Sequence, residues 1–192
     1  MNEKIKDGFI KRVSMLDSID FHTERNLYCE RKLLTNEASV ERCFVDRFLT
    51  DFGFKDKHIR TKESIDKLAV AKGSRKLKYK PDYCVFVKKQ PKLIIDAKSP
   101  SEDVLDWVEQ CAHYCLLLNR RRKTVDYFLL TNGLRTALFK WDKENPLLEL
   151  GFEDFYAGGS KYEQMREIIS HSALLHEKKG ELQEKSVILK KM

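Results

Sequence analysis

Asp82, Asp96 and Lys98 are ionisable residues at the ends of two apolar runs, Tyr83–Val87 and Lys92–Ala97, where packing alone would place carbon. Residues two apart on a strand face the same way, so Asp96 and Lys98 stand side by side. A hairpin joining the two runs returns Asp82 to the same end of the sheet. Two carboxylates held close repel one another. A divalent cation with hard oxygen preferences relieves the repulsion, most naturally Mg²⁺, with Mn²⁺ as a substitute. The carbonyl of Ala97 can add a ligand. Such an ion binds a phosphate oxygen, stabilises the charge of a transition state and lowers the pKa of a bound water, which Lys98 is placed to orient or help deprotonate. These are the parts needed to hydrolyse a phosphodiester. The plainer alternative is a surface ion pair between Asp96 and Lys98, a common and weakly stabilising arrangement.

The elements that must position these groups are legible on both sides. Upstream, Val40, Phe44, Val45, Phe48 and Leu49 fall on one side of a helix that Thr35 or Asn36 can cap and Gly53 ends. At 100° per residue, Glu37 and Glu41 project into the middle of that apolar face, where a helix that only packs would not put two carboxylates. Then comes a long polar connection holding "HIRTK" and many of the basic residues. The two apolar runs follow as an antiparallel pair, with "KKQP" and its Pro91 as the turn. Ser101 can cap a second helix running to about Asn119, with Arg120, Arg121, Arg122 and Lys123 past its end, where cations suit the macrodipole. Downstream, "VDYFLL" and "TALFKW" read as strands joined by Asn132-Gly133, which supplies positive φ angles.

This order of elements points to an α/β fold, a mixed β-sheet flanked by helices. Three segments are expected: an N-terminal helical extension over 1–34, a core over 35–141, and a mostly helical extension over 142–192 that belongs to the same domain or links to a further region. At 192 residues, one domain is the default.

Composition narrows the partners. With 42% hydrophobic and 35% charged residues the chain is globular rather than disordered. No apolar run approaches the roughly 18 residues needed to cross a bilayer, and the N-terminus lacks the apolar core of a signal peptide. A soluble, cytoplasmic protein without a membrane partner is expected. Five cysteines, an odd number without CxxC spacing, read as reduced core residues rather than a zinc site. His58, His113, His171 and His176 show no metal-like grouping, and His22 stands alone. The net charge of +7 makes nucleic acid the first partner to test, with Lys78, Lys80, Arg120, Arg121 and Arg122 as phosphate contacts. Charge runs of this kind also serve as solvated faces.

Pro81-Asp82, thirteen intervening residues, then Asp96-Ala97-Lys98 resembles the PD-(D/E)xK nuclease superfamily at its defining residues. Gln110 and Tyr114, one helical turn apart in "WVEQCAHY", resemble the Q-x-x-x-Y motif of some branches. "NEASVERCFVDRFLTDFGF" resembles the acidic first helix, and "LLTNGLRTALF" the strand, Thr-Asn-Gly and strand that follow. In that order, Thr35 to Trp141 is similar to the N-terminal nuclease domain of the R subunit of type I restriction enzymes.

The resemblance implies a restriction-endonuclease-like core and a Mg²⁺-dependent endonuclease acting on double-stranded DNA by direct attack of water. Glu37, Asp82 and Asp96 become the metal-binding acids, with Glu41 the substitute if the helix is rotated. Lys98 becomes the catalytic lysine, and Gln110 and Tyr114 supporting residues of the site. Methylation and specificity subunits of a restriction complex become candidate partners. Two departures stand out. Asp96 occupies a position that is usually glutamate in the family, and the P-loop GxxxxGK[ST] of an ATP-driven translocase is absent, so a fragment of a longer protein and a free-standing nuclease domain are both expected forms. The alternative function is a non-catalytic nucleic-acid-binding or subunit-docking module that keeps the fold.

Overall fold

The computed structural model describes residues 23–63, 80–122 and 125–176, with 121 and 122 described by their backbone alone. Among the described residues, six strands form one mixed sheet in sequential order: β1 (Ile59–Thr61), β2 (Tyr83–Val87), β3 (Gln90–Ala97), β4 (Tyr127–Thr131), β5 (Arg135–Lys140) and β6 (Leu148–Gly151). Only β3 and β4 run parallel, because a helical crossover joins them; the other neighbours are antiparallel. This is the mixed sheet flanked by helices that the order of elements predicts.

The first helix is continuous but not uniform. It consists of α1 (Glu37–Val40), a π-helical turn (Glu41–Val45) and α2 (Asp46–Asp51), with the wide turn closed by the Asp46 N–H donating to the Glu41 carbonyl. Of the two caps the sequence allows, Asn36 is used: its side chain accepts the Ser39 N–H, while Ser39 Oγ accepts the Asn36 N–H. Gly53 follows the last turn at φ 84°, the left-handed conformation expected of it.

Strand alternation splits the core in two. Tyr83, Val85, Leu93, Ile95 and Ala97 face α1, α2 and the helix α4 (Ser160–Ile169), against Val40, Phe44, Phe48, Phe155 and Met165. Cys84, Ile94, Phe128 and Phe139 face α3 (Val108–Arg122), against Cys111, Tyr114, Cys115 and Leu118. The five cysteines are buried and carry no disulfide.

Several boundaries differ from the sequence reading. The hairpin turn is Lys88-Lys89, both at positive φ (52° and 64°), and Pro91 lies within β3, paired with Phe86 beside a bulge. A two-residue turn of this hand matches strand twist, and the bulge tolerates the missing proline N–H. Ser101 does not cap α3. Asp103 caps a 3₁₀ turn (Val104–Trp107) that leads into it, accepting the Leu105 N–H. The helix passes Asn119, so Arg120 occupies its last turn rather than the loop beyond. In the Asn132-Gly133 connection only Gly133 has positive φ, at 79°. "HIRTK" supplies β1, not a connection, and the segment after 141 adds β6 before α4. Both strands are short, and pairing with a neighbour creates them where periodicity gives no signal. His58 and His171, remote in sequence, stack with ring centroids 4.5 Å apart. Among the described residues no helix is long and apolar enough to cross a membrane.

Candidate active site

The site forms at the end of the sheet where β2 begins and β3 ends. Tyr83 pairs with Ile95 and Cys84 with Ile94, so continuing the register by one sets Asp82 across from Asp96. Asp96 follows Ile94 on the α3 side of the sheet, and Lys98 continues that alternation. Asp82 Oδ2 accepts the Ala97 N–H at 2.8 Å, tying the first acid to the strand that carries the other two groups. The Lys98 N–H donates to the Thr131 carbonyl at 2.8 Å, which extends the β3–β4 ladder and fixes the lysine's backbone.

Lys98 Nζ lies 2.5 Å from Asp96 Oδ2 and 4.1 Å from the centroid of the Trp107 ring. Its charge is therefore held between a carboxylate and an aromatic face. Burial pulls the Lys98 ammonium down, but the Asp96 contact and the charges of Asp96, Asp82 and Glu37 outweigh it and raise its pKa overall. The Lys98 ammonium is the ion-pair partner of Asp96 Oδ2, an atom otherwise buried among the described residues.

The helix glutamates reach the same end from the other face. One oxygen each from Glu37, Glu41 and Asp82 lie within 4.8 Å of one another. Of Glu37 and Glu41, between which the sequence reading prefers the first, the structure brings both to Asp82; they stand one helical turn apart, Glu37 opening α1 and Glu41 opening the π-helical turn. Asp82 feels the crowding. Burial first, then Asp96, then Glu41 and Glu37 push its pKa from 3.8 to about 7 against the opposing Ala97 N–H. The site thus has two neighbouring parts, a Glu37–Glu41–Asp82 cluster and an Asp96–Lys98 ion pair, with Asp82 and the Ala97 amide between them.

The donors fit a hard divalent cation. They are carboxylate oxygens, and oxygens about 2.0–2.1 Å from one Mg²⁺ sit no more than about 4.2 Å apart, close to the spread already present. Ala97, the last residue of β3, is fully buried between the two acids.

Gln110 and Tyr114 lie on α3, and the Gln110 amide donates to Tyr114 Oη. Burial first raises the Tyr114 pKa, the Gln110 hydrogen bond opposes it, and the charge of Asp96 adds to the rise. Lys80 and Arg120 are exposed, at different ends of the molecule's elements: Lys80 two residues before Asp82, Arg120 at the far end of α3. Lys78 and the side chains of Arg121 and Arg122 lie outside the described residues.

Three contributors were missed in the sequence. Trp107 sits against Lys98, and Thr131 accepts its backbone; a Thr-Asn-Gly at a strand end was the available signal for the second. Lys62, just past β1, binds Glu41 Oε1 through Nζ at 2.9 Å. No pattern in the sequence announces β1, so none announces Lys62.

A family model described as the type I restriction enzyme R protein N terminus matches residues 36–150, more than half of the chain. The chain is also similar to a solved structure of the DrdV–DNA complex, determined by cryo-electron microscopy. That match has 13% sequence identity, covers 69% of this chain and 80% of that one, and has a TM-score of 0.44. A second similar structure is the type IIG restriction endonuclease BpuSI, at 18% identity, covering 74% of this chain and 16% of that one, with a TM-score of 0.42. A comparison with curated proteins gives no match.

Proposed function

The chain belongs to the family of the type I restriction enzyme R protein N terminus, and from that premise we propose that it is a metal-dependent endonuclease domain hydrolysing phosphodiester bonds of double-stranded DNA. The observation that carries this reading is the meeting of Glu37, Glu41 and Asp82 within 4.8 Å at the strand end that also presents Asp96, Ala97 and Lys98.

Glu37, Glu41, Asp82 and Asp96 would hold Mg²⁺, or Mn²⁺ in its place, with the Ala97 carbonyl as a further ligand. When bound, the cation supplies neutralising charge for the phosphate and a lowered pKa for a bound water. The rest falls to the chain. The Ala97 amide holds Asp82 in place, the Thr131 carbonyl fixes the Lys98 backbone, and Trp107 keeps the Lys98 ammonium from swinging into solvent. Lys98 then orients the attacking water beside the phosphate and steadies the charge that develops on its oxygens. Gln110 and Tyr114 brace the α3 side of the site. Lys80 and the basic end of α3 bind backbone phosphates without reading sequence.

Plasmid cleavage with and without Mg²⁺, comparing the wild type with Lys98→Ala, tests this. Nicked or linear plasmid is expected only from the wild type with Mg²⁺. Equal cleavage by Lys98→Ala, or cleavage in chelator, overturns the reading.

A further inference from the structure

Among the described residues, Lys62 is a group at the acid cluster that the proposed hydrolysis leaves without a task, and its placement is specific. Its backbone continues the β1–β2 ladder past Thr61 and Tyr83, with the N–H donating to the Asp82 carbonyl at 2.9 Å. Its φ of 50° is a left-handed conformation that a lysine seldom adopts. That turn aims the side chain back at the first helix, where Nζ meets Glu41 Oε1 at 2.9 Å. One residue thus grips the backbone of one acid of the cluster and the carboxylate of another. Its side chain is 57% exposed against 16% for Glu41, so the ammonium sits at the mouth of the cluster and the carboxylate inside it.

Three carboxylates this close need positive charge nearby, and in the protein alone the Lys62 ammonium supplies it to Glu41. An ammonium and a divalent cation compete for the same oxygen. An ion pair with one partner more than half in solvent is weak and exchanges readily.

Resting on the reading of the site as a metal-dependent nuclease, we infer that Lys62 is a tethered countercharge that occupies Glu41 until the metal binds and then turns outward to contact a phosphate of the DNA. Glu41 passes to the cation, and the freed ammonium, anchored through its backbone beside Asp82, stays at the entrance to the site. Lys62 is a positioning residue in the first state and a substrate contact in the second. It links loading of the metal to affinity for DNA: substrate gains a contact only on a loaded site.

Isothermal titration of Mg²⁺ into the DNA-free protein tests the first half, with wild type, Lys62→Met and Lys62→Arg compared and their folding checked by circular dichroism. Removing a competing ion pair of this kind should tighten Mg²⁺ binding by up to about fivefold in Lys62→Met, while Lys62→Arg stays near wild type. A merely structural lysine would give unchanged or weaker binding, and that result overturns the inference. No Mg²⁺ binding by the wild type overturns the nuclease reading itself, and the inference with it.

The second half is read from binding of a short DNA duplex as salt is varied, in Ca²⁺ and in chelator. Lys62→Met should lower the slope of log affinity against log salt by about 0.9, the loss of one phosphate contact, in Ca²⁺ alone. A slope unchanged in both conditions, or lowered equally in both, overturns the exchange.

Discussion

Asp82 Oδ2 accepts the Ala97 N–H at 2.8 Å, so the acid at the start of β2 is locked to the strand that ends in Asp96, Ala97 and Lys98. The bond favours the ionised carboxylate, yet burial and the neighbouring acids outweigh it and raise the Asp82 pKa. Unfavourable charge held in place by the backbone is what a site prepared for a cation requires.

Asp82→Asn keeps an oxygen for the Ala97 amide and removes the crowded charge. The variant should lose cleavage and, without metal, melt no lower than the wild type at pH 8, because burying that charge has a cost that the amide does not carry. Thermal melting in chelator, paired with the plasmid assay, checks both halves; a lower melting temperature would show that Asp82 holds the fold rather than the metal.

Lys98→Met leaves Asp96 buried and unpaired. A loss of about 3–5 kcal/mol is expected in the metal-free protein, as for one partner removed from a buried pair. The double variant Asp96→Asn, Lys98→Met should recover most of it, since no lone charge remains. Denaturant unfolding of the two single variants and the double variant measures the coupling, and independent, additive effects would contradict it.

Glu37→Gln and Glu41→Gln should each weaken Mg²⁺ binding, because both carboxylates reach Asp82 within 4.8 Å. Calorimetry separates this from the single-glutamate arrangement, in which one of the two variants binds like the wild type.

Stability should also depend on pH away from the site, where the His58 and His171 rings stack. Burial, then His171, then Lys57 and Lys55 lower the His58 pKa below 6.5. Below 6.5 the unfolded chain therefore binds more protons than the folded one, so stability is fully present above that pH and falls as the pH drops toward the folded pKa. His58→Phe keeps an aromatic ring against His171 and should flatten that acid-side decline in melting temperature between pH 7 and 5.

Gly133→Ala should destabilise the protein by about 1–2 kcal/mol, the cost of a side chain in left-handed backbone. The added Cβ also meets Leu34 Cδ1 at 2.8 Å, which the leucine relieves only by moving within the core. Urea unfolding checks it, and a neutral result would show that the turn relaxes.

Asp96 and Lys98 were legible together because strand alternation is a local property: two residues apart on β3 means one face, whatever the rest of the chain does. The capped first helix, the pair β2–β3, α3 and the pair β4–β5 were legible from local signals, although those signals misplaced the ends of α3 and the turn between β2 and β3. Tertiary structure decided what short-range pattern cannot encode. β1 and β6 are too short to show alternation and exist because β2 and β5 offer them hydrogen bonds. Glu41 joins Glu37 at Asp82 because the helix, packed on one face of the sheet through Val40 and Phe44, brings its first turns to the start of β2. Lys62 and the His58–His171 stack come from segments whose meeting depends on how two layers close over the sheet. Periodicity settles which way a side chain points from its own element; only packing settles which element ends meet, and the candidate site is built where those ends meet.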